Sequence, residues 1–203
     1  MNTSYSIEIT VATSPDEILA SIHNPRSWWS EGITGSAGAA GDEFDYRYAT
    51  IHHCRLRIAE SGPRRVVWEI LENEFGFVDG EDEWVDTRCV FDLVPGEGST
   101  VLRFTHDGLY PHLSCYDVCS RGWDQYIRYS LAAVLTDGRG APNAAHTART
   151  EQGFALRSHG HHWEPVDIEG LTLMLRPHGA ESSDPPAPGS GWSHAGRRRR
   201  FGR

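Results

Sequence analysis

Asp117-Val118-Cys119-Ser120-Arg121-Gly122-Trp123-Asp124-Gln125-Tyr126-Ile127-Arg128-Tyr129-Ser130-Leu131-Ala132-Ala133-Val134-Leu135 is the stretch on which the rest of the chain depends. Trp123, Tyr126, Ile127, Leu131 and Val134 recur at the three-and-four spacing that paints one side of an α-helix, so that side needs a cover. Arg121, Asp124 and Arg128 mark the other side, with an acid four residues ahead of a base, the order that supports a solvated helix face. Asp137-Gly138 supplies a left-handed stop, and Pro142 cannot resume the helix. Gly122 costs roughly 0.5–1 kcal/mol against alanine inside a helix, which makes sense where another element comes close.

The cover is a meander of strands. Tyr5, Ile7, Ile9 and Val11 alternate with polar residues, the period of a half-buried strand. Ser14-Pro15-Asp16-Glu17 opens a short helix, with serine as N-cap, proline in the first turn and acids against the dipole. Arg26-Ser27-Trp28-Trp29 forms one more turn, and a glycine- and alanine-rich loop runs from Gly32 to Gly41. Five further alternating runs follow, around Phe44–Tyr48, His52–Ile58, Val66–Ile70, Cys89–Leu93 and Leu102–His106, each with charged residues fixing its outer face. The segment from Asn73 to Asp86 is too acidic for a core strand, and Glu83-Trp84-Val85 is expected to add an edge pairing. One long helix over one face of a curved antiparallel sheet of six to seven strands is an α+β plan.

Length and composition fit one domain, residues 1–140, followed by a Gly-, Pro- and Arg-containing tail, 141–203, expected to be largely disordered. Through Gly140, 22 acids against 11 arginines leave −11, so the core domain is not expected to bind nucleic acid; from Ala141 on, 8 arginines against 6 acids leave +2. The Arg197–Arg200 run reads as a basic end. Cys54, Cys89, Cys115 and Cys119 occur without a secretory signal pattern, so reduced thiols and a cytoplasmic location are expected. No apolar run reaches the roughly 18 residues of a membrane span.

The inward face is not uniformly apolar. Tyr46, Tyr48, His52 and His106 lie on it, and up-down connectivity brings Tyr48, His52 and His106 to one rim, while Phe44, Ile58 and Leu102 lie at the other. Singly, each polar residue reads as a core group bonded to backbone or water. Together they read as the mouth of a small-molecule pocket, apolar at its base. Trp28, Trp29, Trp68, Trp123 and Tyr126 are candidate walls. The expected ligand-facing set is Tyr46, Tyr48, His52, Trp68, Phe91, Phe104, His106, Trp123, Tyr126 and Ile127, with His106 the candidate general acid or base.

Other motifs carry less. His106 with Cys115 lacks an activating signature for a Cys-His nucleophile. Cys115 and Cys119 do not have zinc-site spacing, Asp79–Glu83 lacks a calcium-loop register, and His159-Gly160-His161-His162 is a tail coincidence, so no metal is expected. No phosphate loop, nucleophile elbow or dinucleotide fingerprint occurs, and no cofactor is expected.

Ser14-Pro15-Asp16-Glu17, Trp28-Trp29, Gly41-Asp42-Glu43-Phe44, Val66-Val67-Trp68-Glu69, Leu102-Arg103-Phe104-Thr105-His106-Asp107-Gly108 and Gly122-Trp123 with its helix to Gly138 resemble the START/Bet v 1-like (SRPBCC) superfamily. In particular they resemble the group of homologues of the activator of heat-shock-protein ATPase (AHSA1-like), and the resemblance spans Tyr5 to Gly140. It implies a helix-grip fold, in which the sheet wraps the C-terminal helix around an apolar cavity. It also implies binding of hydrophobic molecules such as lipids, sterols or polyketides, with some members acting as cyclases or hydrolases. Three functions follow as expectations: a binder of a small hydrophobic or aromatic molecule, a cyclase- or hydratase-type enzyme using His106, and a module with chaperone or homodimer contacts.

Overall fold

The computed structural model describes residues 3–78 and 82–144, together with the backbone of residues 158–159 and 162–163. Its strands are β1 (Tyr5–Val11), β2 (Thr34–Gly35), β3 (Glu43–Tyr48), β4 (His52–Ser61), β5 (Arg65–Phe75), β6 (Arg88–Gly96) and β7 (Ser99–Asp107). They form one seven-stranded sheet in the order β1-β7-β6-β5-β4-β3-β2, antiparallel at every pairing. Between β1 and β2 lie α1 (Pro15–Ile22) and a 3-10 turn at Pro25–Ser27. The start of α1 is the expected capping box: the Ser14 amide donates to Glu17 Oε2 (3.1 Å) and the Glu17 amide to Ser14 Oγ (3.4 Å).

The C-terminal helix is continuous from Tyr116 to Asp137, as α2 (Tyr116–Asp124), a π-helical stretch (Gln125–Leu131) and α3 (Ala132–Asp137). It ends on Gly138 at φ 72°, whose amide donates to Val134 O (3.0 Å), the left-handed stop read from the sequence. Hydrogen bonding then continues past Gly140, the expected domain boundary. The Ala141 amide donates to Ser130 Oγ (2.8 Å), which itself donates to Trp28 O (2.6 Å). Asn143 forms a bridge with Ser30, its amide donating to Trp29 O (3.0 Å) and its carbonyl accepting from Glu31 (2.9 Å). The strap is fixed because it satisfies backbone groups of the Trp28–Glu31 segment. The remainder of the expected tail, with the side chains of the His159–His162 cluster and the Arg197–Arg200 run, lies outside the described residues. The exception is a backbone pairing of β8 (Ser158–His159) with β9 (His162–Trp163). Asp79–Glu81 of the acidic loop also lie outside them.

The reading of Asn73–Asp86 needs correction at two places. β5 runs on to Phe75, because a register shift opposite Arg55/Leu56 changes the inward parity. Val66, Trp68 and Ile70 are the inward residues before the shift; after it Glu72 and Glu74 are exposed and Phe75 is buried. Glu83-Trp84-Val85 forms no edge strand. Residues 82–86 make a turn that returns to β5 through Asp86 N to Ile70 O and Ile70 N to Thr87 O, both 3.1 Å, and Trp84 is buried. Across the outer face, ion pairs such as Arg103–Glu8 (2.5 Å), Arg65–Asp92 (2.6 Å) and Arg57–Glu43 (2.8 Å) tie neighbouring strands, each contributing at most about 1 kcal/mol.

Candidate ligand pocket

Sheet and helix meet through aromatic rings. Trp29 stacks on Tyr46 (centroids 4.4 Å apart) and on Trp68 (5.8 Å), and lies 5.2 Å from Trp123. Trp28 also stacks on Trp68 at 6.0 Å and on Trp29 at 6.4 Å, Phe91 lies 4.7 Å from Trp68, and Phe104 lies 4.6 Å from Trp123. These rings fill most of the space that the sequence reading left open between sheet and helix. Trp68, Phe91, Phe104 and Ile127, expected to face a ligand, are instead inaccessible core. Four indoles brought onto the inward face by two adjacent tryptophans and one each from β5 and the helix have enough volume to close the base.

What remains is a pocket of about 70 Å³ at the mouth, half open to solvent. Its lining is Trp29, Tyr46, Tyr48, Ile51, His52, Phe75, Phe77, Trp84, Val118, Cys119, Gly122, Trp123 and Tyr126. Thus Tyr46, Tyr48, His52, Trp123 and Tyr126 of the expected set come together there. Gly122, expected to admit another element, instead forms pocket wall. Ile51, Phe75, Phe77, Trp84, Val118 and Cys119 were not foreseen as lining; the bulge that turns Phe75 inward leaves no trace in strand periodicity, although the aromatic pair Phe75 and Phe77 flanking Gly76 was a signal available for use.

His106 is the main correction. It sits at the expected end of β7 but behind Trp84, with the two rings 4.5 Å apart at 80°, and does not line the pocket. Trp123 Nε1–H donates to its Nδ1 (2.9 Å), which fixes the proton on Nε2, where it is donated to Thr87 Oγ1 (2.9 Å). The Thr87 hydroxyl donates in turn to Trp84 O (2.5 Å). Burial, with a smaller contribution from His52, lowers the His106 pKa to about 3. Both nitrogens are engaged in holding aromatic walls, so the ring has no proton site facing the pocket.

His52 is the pocket's own imidazole. Its Nε2–H donates to Asn73 Oδ1 (2.9 Å), leaving Nδ1 unprotonated, and burial lowers its pKa to about 3. Tyr126 Oη accepts from Asn143 Nδ2 (2.6 Å), which also reaches Tyr46 Oη (3.3 Å). Burial raises the pKa of Tyr46, Tyr48 and Tyr126. It raises that of Cys119 too, and the Trp84 indole N–H, which lacks a well-formed acceptor, lies against this sulfur. The wall at Tyr126 belongs to the π-helical stretch, where the Ala132 amide reaches back to Ile127 O; such stretches are frequent at functional sites. Among the described residues no group of three or more His, Cys, Asp or Glu is placed to hold a metal ion, and no helix is long and apolar enough to cross a membrane.

The chain has a helix-grip fold, a seven-stranded antiparallel sheet gripping a C-terminal helix, and shares that fold with solved structures. The solution structure of the Aha1 dimer from Colwellia psychrerythraea is similar to it, at TM-score 0.56 and 23% identity, covering 68% of this chain and 99% of that one. Protein MLL2253 from Mesorhizobium loti is similar at TM-score 0.54 and 17% identity, covering 67% and 98%. At these identities the likeness is one of fold. No protein-family model and no curated protein sequence matches the chain.

Proposed function

We propose that the protein binds a small hydrophobic or aromatic molecule at the mouth of the grip, in the cytoplasm, without catalysing a reaction on it. The observation that carries this reading is the lining of the half-open pocket: nine rings, four aliphatic or small residues, and no side chain charged at neutral pH. The apolar walls supply affinity, and the hydroxyls of Tyr46, Tyr48 and Tyr126 and the His52 ring give orientation. A cyclase- or hydratase-type role through His106 loses its support, since that residue is turned away and consumed by Trp123 and Thr87. A chaperone or homodimer contact finds less: the large apolar side chains exposed on the described surface are Val94 and Tyr129, one on a strand and one on the helix.

Indole N–H resonances test the reading, because the tryptophans divide into lining and non-lining sets. Titrating 1-naphthol or phenol should shift the Trp29, Trp84 and Trp123 indole signals and leave Trp28 and Trp68 in place. Absence of shifts at millimolar ligand, or equal shifts of both sets, would sink the proposal.

A further inference from the structure

Trp84 is the lining residue whose position has the clearest chemical consequence. Its ring meets His52 (4.7 Å, 89°), Phe75 (5.5 Å, 89°) and His106 (4.5 Å, 80°), and stacks on Trp123 (5.8 Å, 14°). It therefore stands between the pocket's imidazole and the buried one. The turn that carries it is pinned on both sides. Glu83 accepts from the Ser114 and Cys115 amides (both 2.8 Å) at the start of α2, and Thr87 holds the Trp84 carbonyl while accepting from His106. Asp86, at φ 63°, closes the turn in the left-handed region. A large ring fixed at both flanks is a built wall of the pocket rather than a loose loop side chain.

Resting on the reading of this cleft as a ligand pocket, we infer that Trp84 is its size-determining residue: the intact chain accommodates one uncharged aromatic ring, and removal of the indole opens a second compartment reaching His106. The volume agrees. About 70 Å³ is far below the roughly 300–1,000 Å³ of pockets that enclose drug-sized ligands, so an acyl chain or sterol is excluded and a single ring enters with its substituent left at the open side. Charge agrees as well. With His52 neutral and no lysine, arginine or acid in the lining, a carboxylate or ammonium group would lose water and gain no counter-charge inside.

The test compares phenol, 1-naphthol, 9-phenanthrol and benzoate against the full chain and its W84A variant, by ligand-observed NMR and calorimetry. The intact protein should bind phenol, bind 1-naphthol no more tightly despite its greater apolar area, and reject 9-phenanthrol and benzoate. W84A should bind 1-naphthol at least about tenfold more tightly than the intact chain does, the benefit of burying a further ring, while phenol, which loses the Trp84 wall and has no second ring to bury, gains nothing, so that the naphthol-to-phenol ratio rises. Naphthol should then perturb the His106 ring nitrogen signals in W84A alone. W84L, which keeps an apolar filler of intermediate size, serves if W84A does not fold and should move the same ratio in the same direction. An unchanged naphthol-to-phenol ratio in a folded variant overturns the inference, as does intact protein that prefers 9-phenanthrol or benzoate, and in both cases the pocket reading stands. Failure of all four compounds to bind either protein overturns the pocket reading itself.

Discussion

Replacing His106 by glutamine isolates the proton that the folded protein refuses. The imidazole is inaccessible, its Nδ1 accepts from Trp123 and its Nε2–H donates to Thr87, and its pKa is lowered from 6.5 to about 3 by burial first and by His52 second. The unfolded chain therefore binds one proton more than the native chain between about pH 3 and 6.5, so stability rises with pH across that window and is lost as pH falls. One pKa unit corresponds to 1.36 kcal/mol, so lowering the pH from 7 to 5 should cost about 2 kcal/mol through this residue alone. His52 carries the same direction of shift but keeps a partly accessible edge in the pocket, so the magnitude is assigned to His106 only. Glutamine can accept from Trp123 and donate to Thr87 without titrating. Urea unfolding followed by tryptophan fluorescence at pH 7 and pH 5 gives the two free energies for each protein, and carboxylates and His52 contribute to both and cancel in the difference. The intact chain should lose about 2 kcal/mol more than H106Q over those two pH units. Parallel losses in the two proteins would show that His106 is protonated in the native state and that the Trp123 hydrogen bond is misassigned.

Glu83→Ala should destabilise the fold by about 1 kcal/mol, as expected for loss of a helix cap, because the Ser114 and Cys115 amides at the start of α2 lose their acceptor. Chemical denaturation of E83A and E83Q checks this, and E83Q should retain part of the stability since its amide oxygen still accepts. The chain cut after residue 144 should melt with the full-length protein, whereas a cut after Gly140 removes the Ala141–Ser130, Asn143–Trp29 and Glu31–Asn143 hydrogen bonds. At roughly 0.5–1.5 kcal/mol each, and roughly 2–4 °C per kcal/mol, the shorter chain should melt about 3–18 °C lower by calorimetry. Equal melting of the two truncated chains would mean that the strap past Gly140 adds nothing to the domain.

The fold was legible where a single period ran without interruption. The helix stripe at Trp123, Tyr126, Ile127 and Leu131, the capping box at Ser14 and the strand alternations each need only local pattern, and the meander follows from their order. Legibility failed at the shift of parity in β5, where the inward set passes from Val66, Trp68 and Ile70 to Phe75. A bulge adds one residue to a strand and leaves no composition signal, so the segment from Asn73 reads as too acidic for a core strand although Glu74 belongs to the exposed half of one. The rim was placed correctly by connectivity, which brought Tyr48 and His52 together, but connectivity does not say which ring stands in front. Trp84, read as an edge residue, inserts between His52 and His106 and so removes His106 from the mouth. Cavity volume was the least legible quantity, because it is the small remainder after the indoles of Trp28, Trp29, Trp68 and Trp123 have packed, and a remainder depends on every contact at once.

The same packing supports the proposed binding role over the cyclase- or hydratase-type alternative. A general acid or base works best with a pKa near the ambient pH, so that a useful fraction of each protonation state is present. In this pocket burial moves each titratable lining group away from that condition: His52 down to about 3, and Tyr46, Tyr48, Tyr126 and Cys119 upward. With a pKa of about 3, His52 is protonated in roughly one molecule in ten thousand at pH 7, and its unprotonated nitrogen is then too weak a base to draw a proton from an ordinary hydroxyl or carbon acid. The groups are thereby held as neutral hydrogen-bonding contacts of fixed polarity on an aromatic wall. Gly122 and Cys119 are the smallest side chains the helix offers to the lining, and they leave room at the mouth while Trp123 and Tyr126 wall it beside them. This is the surface that the proposed binding role requires, one that would recognise a flat uncharged ring by shape and by one or two hydrogen bonds and release it chemically unchanged.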